Sequence, residues 1–431
     1  MPAETKKFIA FADKHRVVLN QILRQSNEKL QNGPFAVLCN YTQVLDFDRK
    51  RTYFRDKLAS SKNRNLNYNY SDREFSIRIN RNNILNDSFM NLNRLSVKQW
   101  KSKIYVIFED EDGQDAGGLL REWYLNLSKE MLNPNYALFK TSASGGTHTI
   151  NPLSHTNSNH LTYFTFIGHI IAKAIFDNKL LECYFTRAMY KHILGKQVKP
   201  NDLESEDPDY YKNLKYILEN PIEYLGYDQN FTAELDNFGQ MQTVELVEGG
   251  KDKLVTDQNK QEFVDLVCNR KLTHAISDQL KAFLKGFYDI IPKELISIFD
   301  EHELELLISG IAEVDIEDLR NNTEYEKYRP SDLQIQWFWR ALRSFTSTER
   351  NNFLQFVTGT SHVPLQGFAY LEGMNGFSKF KILKDERSTN RLPCAHTCFN
   401  QLDLPVYESY EVLRRMLLVA INEGKEGFGL A

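Results

Sequence analysis

The chain has 431 residues, more than one hydrophobic core of ordinary size holds, so two or three domains are expected. Hydrophobic residues make up 42% and charged residues 26%, the balance of a soluble globular protein, and a formal net charge of -4 gives no reason to expect nucleic acid or an anionic membrane as partner. Five cysteines, at positions 39, 183, 268, 394 and 398, are too few and too scattered for a disulfide framework; they suit a reducing compartment, cytoplasmic or nuclear.

The opening Met1-Pro-Ala-Glu-Thr-Lys-Lys reads as the beginning of a gene fragment, and nothing there resembles a signal peptide. Residues 5–31 read as a helix, with Phe8, Phe11, Val18, Leu19, Ile22 and Leu23 spaced to form one apolar stripe, until Gly33-Pro34 breaks it. A second helix, rich in Phe, Leu and Tyr, is expected over 35–58, followed by an Asn-, Ser- and Lys-rich loop from Ser60 to Ser71. Ile104–Phe108 is a short strand of the buried type, and Gly117-Gly118 opens a helix over 119–131. The most apolar run, Tyr163–Phe176, is shorter than the roughly 20 residues a bilayer requires and contains His169 and Lys173, so it reads as a buried core helix.

Further helices are expected over 160–195 and 207–220, the latter with Tyr210, Leu214 and Ile217 on one face. Glu248-Gly-Gly-Lys251 reads as a turn between two short strands. A long helical stretch from Gln258 to Ile290 stops near Pro292, and 301–309 is a short helix with Gly310 as its C-cap. The segment 310–315 reads as a hinge. Residues 316–431 mix helices (333–345, 349–357, 410–423) with strands near 380–383 and 398–403, the pattern of a compact α/β unit.

Several chemical signals fail on their own terms. Gly113–Gly118 lacks the Lys-Ser/Thr of a phosphate loop, with Leu119-Leu120 in its place. Cys394, His396 and Cys398 are too cramped to hold zinc without a fourth ligand from elsewhere. His302 has no second histidine four residues on. The aromatic Trp337-Phe-Trp339 reads as core. No metal and no cofactor is expected.

The informative stretch is Arg391-Leu-Pro-Cys-Ala-His396-Thr-Cys398-Phe-Asn400, a cysteine in a short polar turn between apolar segments. Taken alone, a cysteine is more often a small buried hydrophobe than a nucleophile. However, the string Leu392 to Tyr407, Leu-Pro-x-Ala-His-Thr-Cys-Phe-Asn-x-Leu-x-Leu-Pro-x-Tyr, resembles the active-site signature of the HECT ubiquitin ligases. More of that pattern recurs in order: Gly113-Gln-Asp-Ala-Gly-Gly118 running into Leu119-Leu-Arg-Glu-Trp123, then Phe166-Ile-Gly168, Leu180-Leu-Glu-Cys-Tyr-Phe185, Asn322-Thr-Glu-Tyr325, Gln336-Trp-Phe-Trp339 and Leu354-Gln-Phe-Val-Thr-Gly-Thr360. The resemblance covers about residues 46–431. His15-Arg16, Asn20–Arg24, Gly33–Ala36 and the ending Glu426–Ala431 are similar to the giant members of the family and their fungal relatives.

The resemblance implies an α+β, bilobal fold. An N-terminal helical extension (1–45) precedes a large, mainly helical N-lobe (46–309) with a small subdomain at about 196–270 that binds the ubiquitin-conjugating enzyme. A short hinge (310–315) leads to a small α/β C-lobe (316–431). It implies that Cys398 takes ubiquitin from that enzyme as a thioester and passes it to a substrate lysine. Thiolate is both strong nucleophile and good leaving group, so the exchange of thioesters is nearly isoenergetic. His396 and Thr397 would orient the thiol or the carbonyl, or His396 would serve only as a structural bond in the loop. Backbone amides of 397–400 and the Asn400 side chain would stabilise the oxyanion. An acid must assist the attacking lysine, and the C-terminal carboxylate of Ala431, Asp403 and Glu426 are the candidates. Phe428 would help dock the C-lobe. Tyr210 and Leu214, with Phe263 and Val267, would form the groove for the conjugating enzyme. Ala116 stands where many relatives have tyrosine, which puts their second, non-covalent ubiquitin site in doubt here. A proline at Val314 or Ile316 is expected to slow transfer without unfolding either lobe. Protein substrates are expected to be chosen by regions upstream of this chain. The rival readings are a cysteine hydrolase that removes ubiquitin and a non-catalytic module that binds the conjugating enzyme.

Overall fold

The computed structural model describes residues 3–25, 30, 33, 35–64, 74–109, 118–143, 146–225, 228–237, 240–310, 314–358, 363, 367–373, 376–387 and 389–423. Their buried side chains fall into four clusters. The largest runs from Phe47 to Ile308, and a carboxy-terminal one from Val314 to Ile421. A small one, spanning 188–272, interrupts the first in sequence, and a fourth joins Ala12, Leu19, Leu23, Leu30, Leu38, Val44 and Leu45.

The first core is organised by the helix His160–Phe176, buried almost all round as its composition demands. The two polar members nearest its centre, Lys173 and His169, have partners. Lys173 is fully buried and donates to Ser102 O and Asp177 Oδ1, both at 2.7 Å. His169 stacks on Trp100 and meets Asp289 Oδ2 at 3.1 Å. This helix packs on Ser277–Ile290 at backbone distance. A Cβ built on Gly168 would lie 2.1 Å from Phe283 O, and one on Gly286 would lie 2.0 Å from Thr165 O. Beside the pair, the strand Glu74–Ile79 runs parallel to Lys103–Phe108, with Ile77 opposite Val106 and Ile79 opposite Phe108. Among the described residues, no helix is long and apolar enough to cross a membrane.

The small core packs helices Pro208–Glu219 and Lys260–Leu272 against the hairpin Thr232–Asn237/Gln240–Glu245. The carboxy-terminal core has a mixed four-stranded sheet in the order Cys394–His396, Gln401–Pro405, Phe380–Asp385, Thr323–Glu326. Helices Leu333–Ser344, Ser347–Thr358 and Tyr410–Glu423 share its buried cluster, to which Phe338 and Trp339 belong. The helix Glu301–Ser309 leads up to it and ends at Gly310, in the left-handed region at φ 83.

Several sequence expectations are corrected. Residues 5–31 form two helices, Ala3–Lys14 and Arg16–Gln25, and residues 26–29 and 31 lie outside the described residues. Their buried line is Ala12, Leu19 and Leu23, while Phe11, Val18 and Ile22 are exposed. In place of a helix from 35, two 3-10 turns precede Phe47–Arg64, which runs on into the expected loop. The turn at Glu248–Lys251 follows the hairpin and does not join its strands. The 258–290 stretch is two helices separated at Thr273–Ile276. Residues 397–399 are a 3-10 turn, so the last strand begins at Gln401. Of the expected hinge, 311–313 lie outside the described residues, and Val314 and Ile316 are buried core side chains. A proline at either would remove packing from the carboxy-terminal core, so intact lobes are not expected there.

Candidate active site

The cysteine-bearing segment is a tight hairpin, and Cys398 sits at its tip. Cys394–His396 pairs antiparallel with Gln401–Pro405, placing Ala395 opposite Leu402 and His396 opposite Gln401. Ala395, Leu402 and Leu404 are buried and anchor the hairpin, whereas Cys394, His396 and Phe399 face outward. The short 3-10 helix Thr397–Phe399 reverses the chain, and Asn400 completes the reversal at φ 49, a left-handed conformation that asparagine tolerates better than most residues. The thiol of Cys398 lies outside the described atoms.

Asn400 is buried, and its side-chain amide donates to Ser378 O at 2.8 Å. Its carbonyl accepts from Lys381 N at 2.9 Å and its own N–H donates to Thr397 O at 3.3 Å. The bonds to Ser378 and Lys381 tie the tip to the start of the Phe380–Asp385 strand and engage the side-chain amide of Asn400, so the geometry gives Asn400 a structural role. Tyr407 Oη donates to Arg391 O at 2.6 Å and holds the hairpin's approach.

His396 Nε2 meets Asp403 Oδ2 at 3.1 Å, and Gln401 Nε2 donates to Asp403 Oδ1 at 2.8 Å. Arg387 lies 3.7 Å from the same carboxylate and bonds Asp385 at 2.8 Å. The bond to Asp403 is the main cause raising the His396 imidazole above its ordinary value, with burial working against it. For Asp403, burial pushes the carboxyl upward, yet its bonds from His396 and Gln401 and the charges of His396 and Arg387 hold it below the usual range. A carboxylate so stabilised is a weak proton acceptor, which argues against Asp403 as the base for an incoming lysine. The other two acid candidates, Glu426 and Ala431, and Phe428 lie outside the described residues.

Thr397 also lines a solvent-open cleft between the carboxy-terminal core and the rest. Across it stand Glu204, Arg187, Glu301 and Glu305. The sequence reading missed the three glutamates and Arg187. The signal available was the alternation Glu301, Glu303, Glu305 inside an apolar helix, where buried carboxylates demand partners.

A profile of the HECT-domain (ubiquitin-transferase) family matches residues 125–431. The chain belongs to that family. Over 432 residues it is 58% identical to the E3 ubiquitin-protein ligase HUWE1 of Mus musculus, covering 100% of this chain and 10% of the relative. It is 49% identical over 427 residues to the E3 ubiquitin-protein ligase TOM1 of Saccharomyces cerevisiae, covering 98% of this chain and 13% of that one. To the E3 ubiquitin-protein ligase UPL1 of Arabidopsis thaliana it is 44% identical over 431 residues, 98% of this chain and 12% of the relative. The chain therefore spans about a tenth of the length of such relatives.

In this HECT domain the four residues expected to meet the conjugating enzyme are brought together, but mostly inside. Leu214, Phe263 and Val267 are buried in the small core, and Phe263 packs edge-on against Phe231. Tyr210 is half-buried, with the Lys271 ammonium 3.7 Å from its ring centre. Of the four, Tyr210 is the one a partner can reach, and the other three shape the ground beneath it.

Proposed function

We propose that this chain is the catalytic part of a HECT-type E3 ubiquitin-protein ligase that carries ubiquitin as a thioester on Cys398. The Cys398 thiolate attacks the thioester carbonyl of a charged conjugating enzyme, and that enzyme's cysteine leaves as thiolate. The neutral amine of a substrate lysine then attacks the new thioester, an isopeptide bond forms, a proton is lost from nitrogen and the Cys398 thiolate leaves. The observation that carries the reading is the position of Cys398 at the tip of a hairpin buried at its feet, within the family signature. A turn at the end of an anchored hairpin suits acyl exchange between two bulky partners. The His396–Asp403 pair supports an orienting role for His396, and a neighbouring imidazolium favours thiolate.

The reading extends to the chain's organisation. Residues 46–309 serve as N-lobe, 196–270 as the docking subdomain for the conjugating enzyme with Tyr210 as its accessible element, 310–315 as hinge and 316–431 as C-lobe. Substrate choice belongs to regions outside this chain, and the protein works in the cytoplasm or nucleus.

The test is a single turnover. The protein is mixed with a conjugating enzyme precharged with labelled ubiquitin, quenched within seconds and resolved without reductant. A reductant-sensitive adduct is expected, lost or turned reductant-resistant in Cys398→Ser. No adduct from a folded sample would overturn the proposal in favour of an inert module; release of free ubiquitin from chains would indicate a hydrolase.

A further inference from the structure

The outward face of the Cys394–His396 strand is turned towards the small core. Thr397, the next residue, lines the cleft together with Asn201, Glu204 and Ser205, which flank Leu203 of that core. Two outward positions of the strand each have a counterpart there. The bond to Asp403 does most to raise the His396 imidazole, and the charge of Glu204 adds to it. Burial does most to push the Cys394 thiol up, and Lys215 is among the cations that oppose it. Cys398 follows two residues after His396, at the turn of the same hairpin.

Lys215 belongs to the helix Pro208–Glu219. Burial raises the Glu204 carboxyl, with Lys215 first among the charges that lower it. Burial likewise pushes the Tyr211 hydroxyl up to about 12, and Glu204 adds to the shift. Residues four apart on a helix lie about 40° apart, so Tyr211 and Lys215 share the face that looks towards Glu204 and the hairpin. The Lys215 side chain is 56% exposed, and its 3.7 Å pair with Glu219 is of the solvent-exposed kind that holds little. Its amine is therefore accessible and lightly held. Tyr210 stands about 140° round the helix from Lys215, so a conjugating enzyme on Tyr210 and the hairpin meet different sides of it.

We propose that Lys215 is a self-modification site: it takes ubiquitin from Cys398 of its own molecule, and the attached protein then hinders the next conjugating enzyme. The inference rests on the thioester reading of Cys398. Neutral Lys215 Nζ attacks the thioester carbonyl, a C–N bond forms, the C–S bond breaks, the Cys398 thiolate leaves and the proton on nitrogen passes to water. A whole protein fixed five residues from Tyr210, on the same helix, crowds the docking ground.

The test loads the chain with ubiquitin lacking lysines, removes the conjugating enzyme and follows the thioester with no substrate added. Peptide mapping should find ubiquitin on Lys215 and far less on the exposed Lys281 of the first core. Lys215→Arg keeps the cation but not the nucleophile, and should lengthen the life of the thioester roughly threefold or more. Modification should keep its half-time on about tenfold dilution, as a reaction within one molecule does. Purified molecules bearing ubiquitin on Lys215 should reload several-fold more slowly than unmodified ones. A thioester that forms while Lys215 stays bare, that decays no more slowly in Lys215→Arg, or that modifies Lys215 at a rate falling with dilution would overturn the inference and leave the thioester reading standing. No thioester at all would overturn both. Normal reloading of the modified molecules would overturn the hindrance.

Discussion

Replacing Lys50 with methionine should expose how strongly the Phe47–Arg64 helix is bound to the Glu301–Ser309 helix. The Lys50–Glu303 pair is 2.7 Å long, with side chains 4% and 5% exposed. Methionine fills similar space, but Glu303 is left as an uncompensated buried charge, a change that costs about 3–5 kcal/mol. Burial and the Asp300 charge already push the Glu303 carboxyl above its ordinary 4.5, and losing Lys50 removes the opposing pull. A carboxyl raised in the folded state lends stability at low pH that is lost as pH rises through its folded value. The deficit in Lys50→Met should therefore be largest near neutrality and shrink on acidification. Adding Glu303→Gln should recover most of the loss, because glutamine is neutral and retains an oxygen to accept the Asp300 N–H that caps the helix, now at 2.9 Å from the carboxylate. Guanidinium unfolding followed by tryptophan fluorescence is suitable, since Trp100 and Trp123 report the first core and Trp337 and Trp339 the carboxy-terminal one. A loss below about 1 kcal/mol, or a double variant no more stable than Lys50→Met, would refute the reasoning.

Gly286→Ala would drive a methyl to 2.0 Å from Thr165 O, forcing the two central helices apart; a net loss of about 1–3 kcal/mol is expected in the same unfolding assay, and unchanged stability would contradict the close approach. Leu214→Ala should destabilise by about 2–5 kcal/mol, while Tyr210→Ala should weaken loading from the conjugating enzyme more than it weakens the fold. If Tyr210→Ala loaded normally, the docking role would fail. Asp403→Asn should lower the His396 titration midpoint, followed by imidazole NMR, because the bond to Asp403 is the main cause raising it. The stability that bond contributes is present below the ordinary histidine value of 6.5 and fades as pH rises through the folded one. A midpoint unmoved by the substitution would show that Asp403 does not hold the imidazole.

Much of the carboxy-terminal core was legible because its helices carry clear apolar faces: the expected 333–345 and 410–423 fall within a residue of Leu333–Ser344 and Tyr410–Glu423. The strand Glu74–Ile79 was not, because it is short and pairs in parallel with a segment beginning 29 residues later, a partner that local pattern does not reveal. At the amino terminus both apolar lines repeat with helical spacing, and only tertiary packing chose Leu19 and Leu23 over Val18 and Ile22. The signature around Cys398 could be read as chemistry but not as geometry. A sequence does not show that His396 would spend its Nε2 on Asp403, or that the Asn400 amide would be drawn back to Ser378. Burial also separates residues that spacing treats alike, leaving Tyr210 within reach and Leu214 inside.

The helix His160–Phe176 finds its main partner only at Ser277–Ile290, after the whole small core has been made. A ribosome adding roughly 5–20 residues per second needs about 5–20 s to cover the interval. For that time Phe89, Trp100 and Phe139, already made, can cover part of the helix, but the face that takes Ser277–Ile290 has left the exit tunnel without its partner. The nascent chain thus travels with that apolar face uncovered. Hsp70-type holdases, which bind such stretches, would find here their longest opportunity, and a translational pause between codons 177 and 276 would lengthen it.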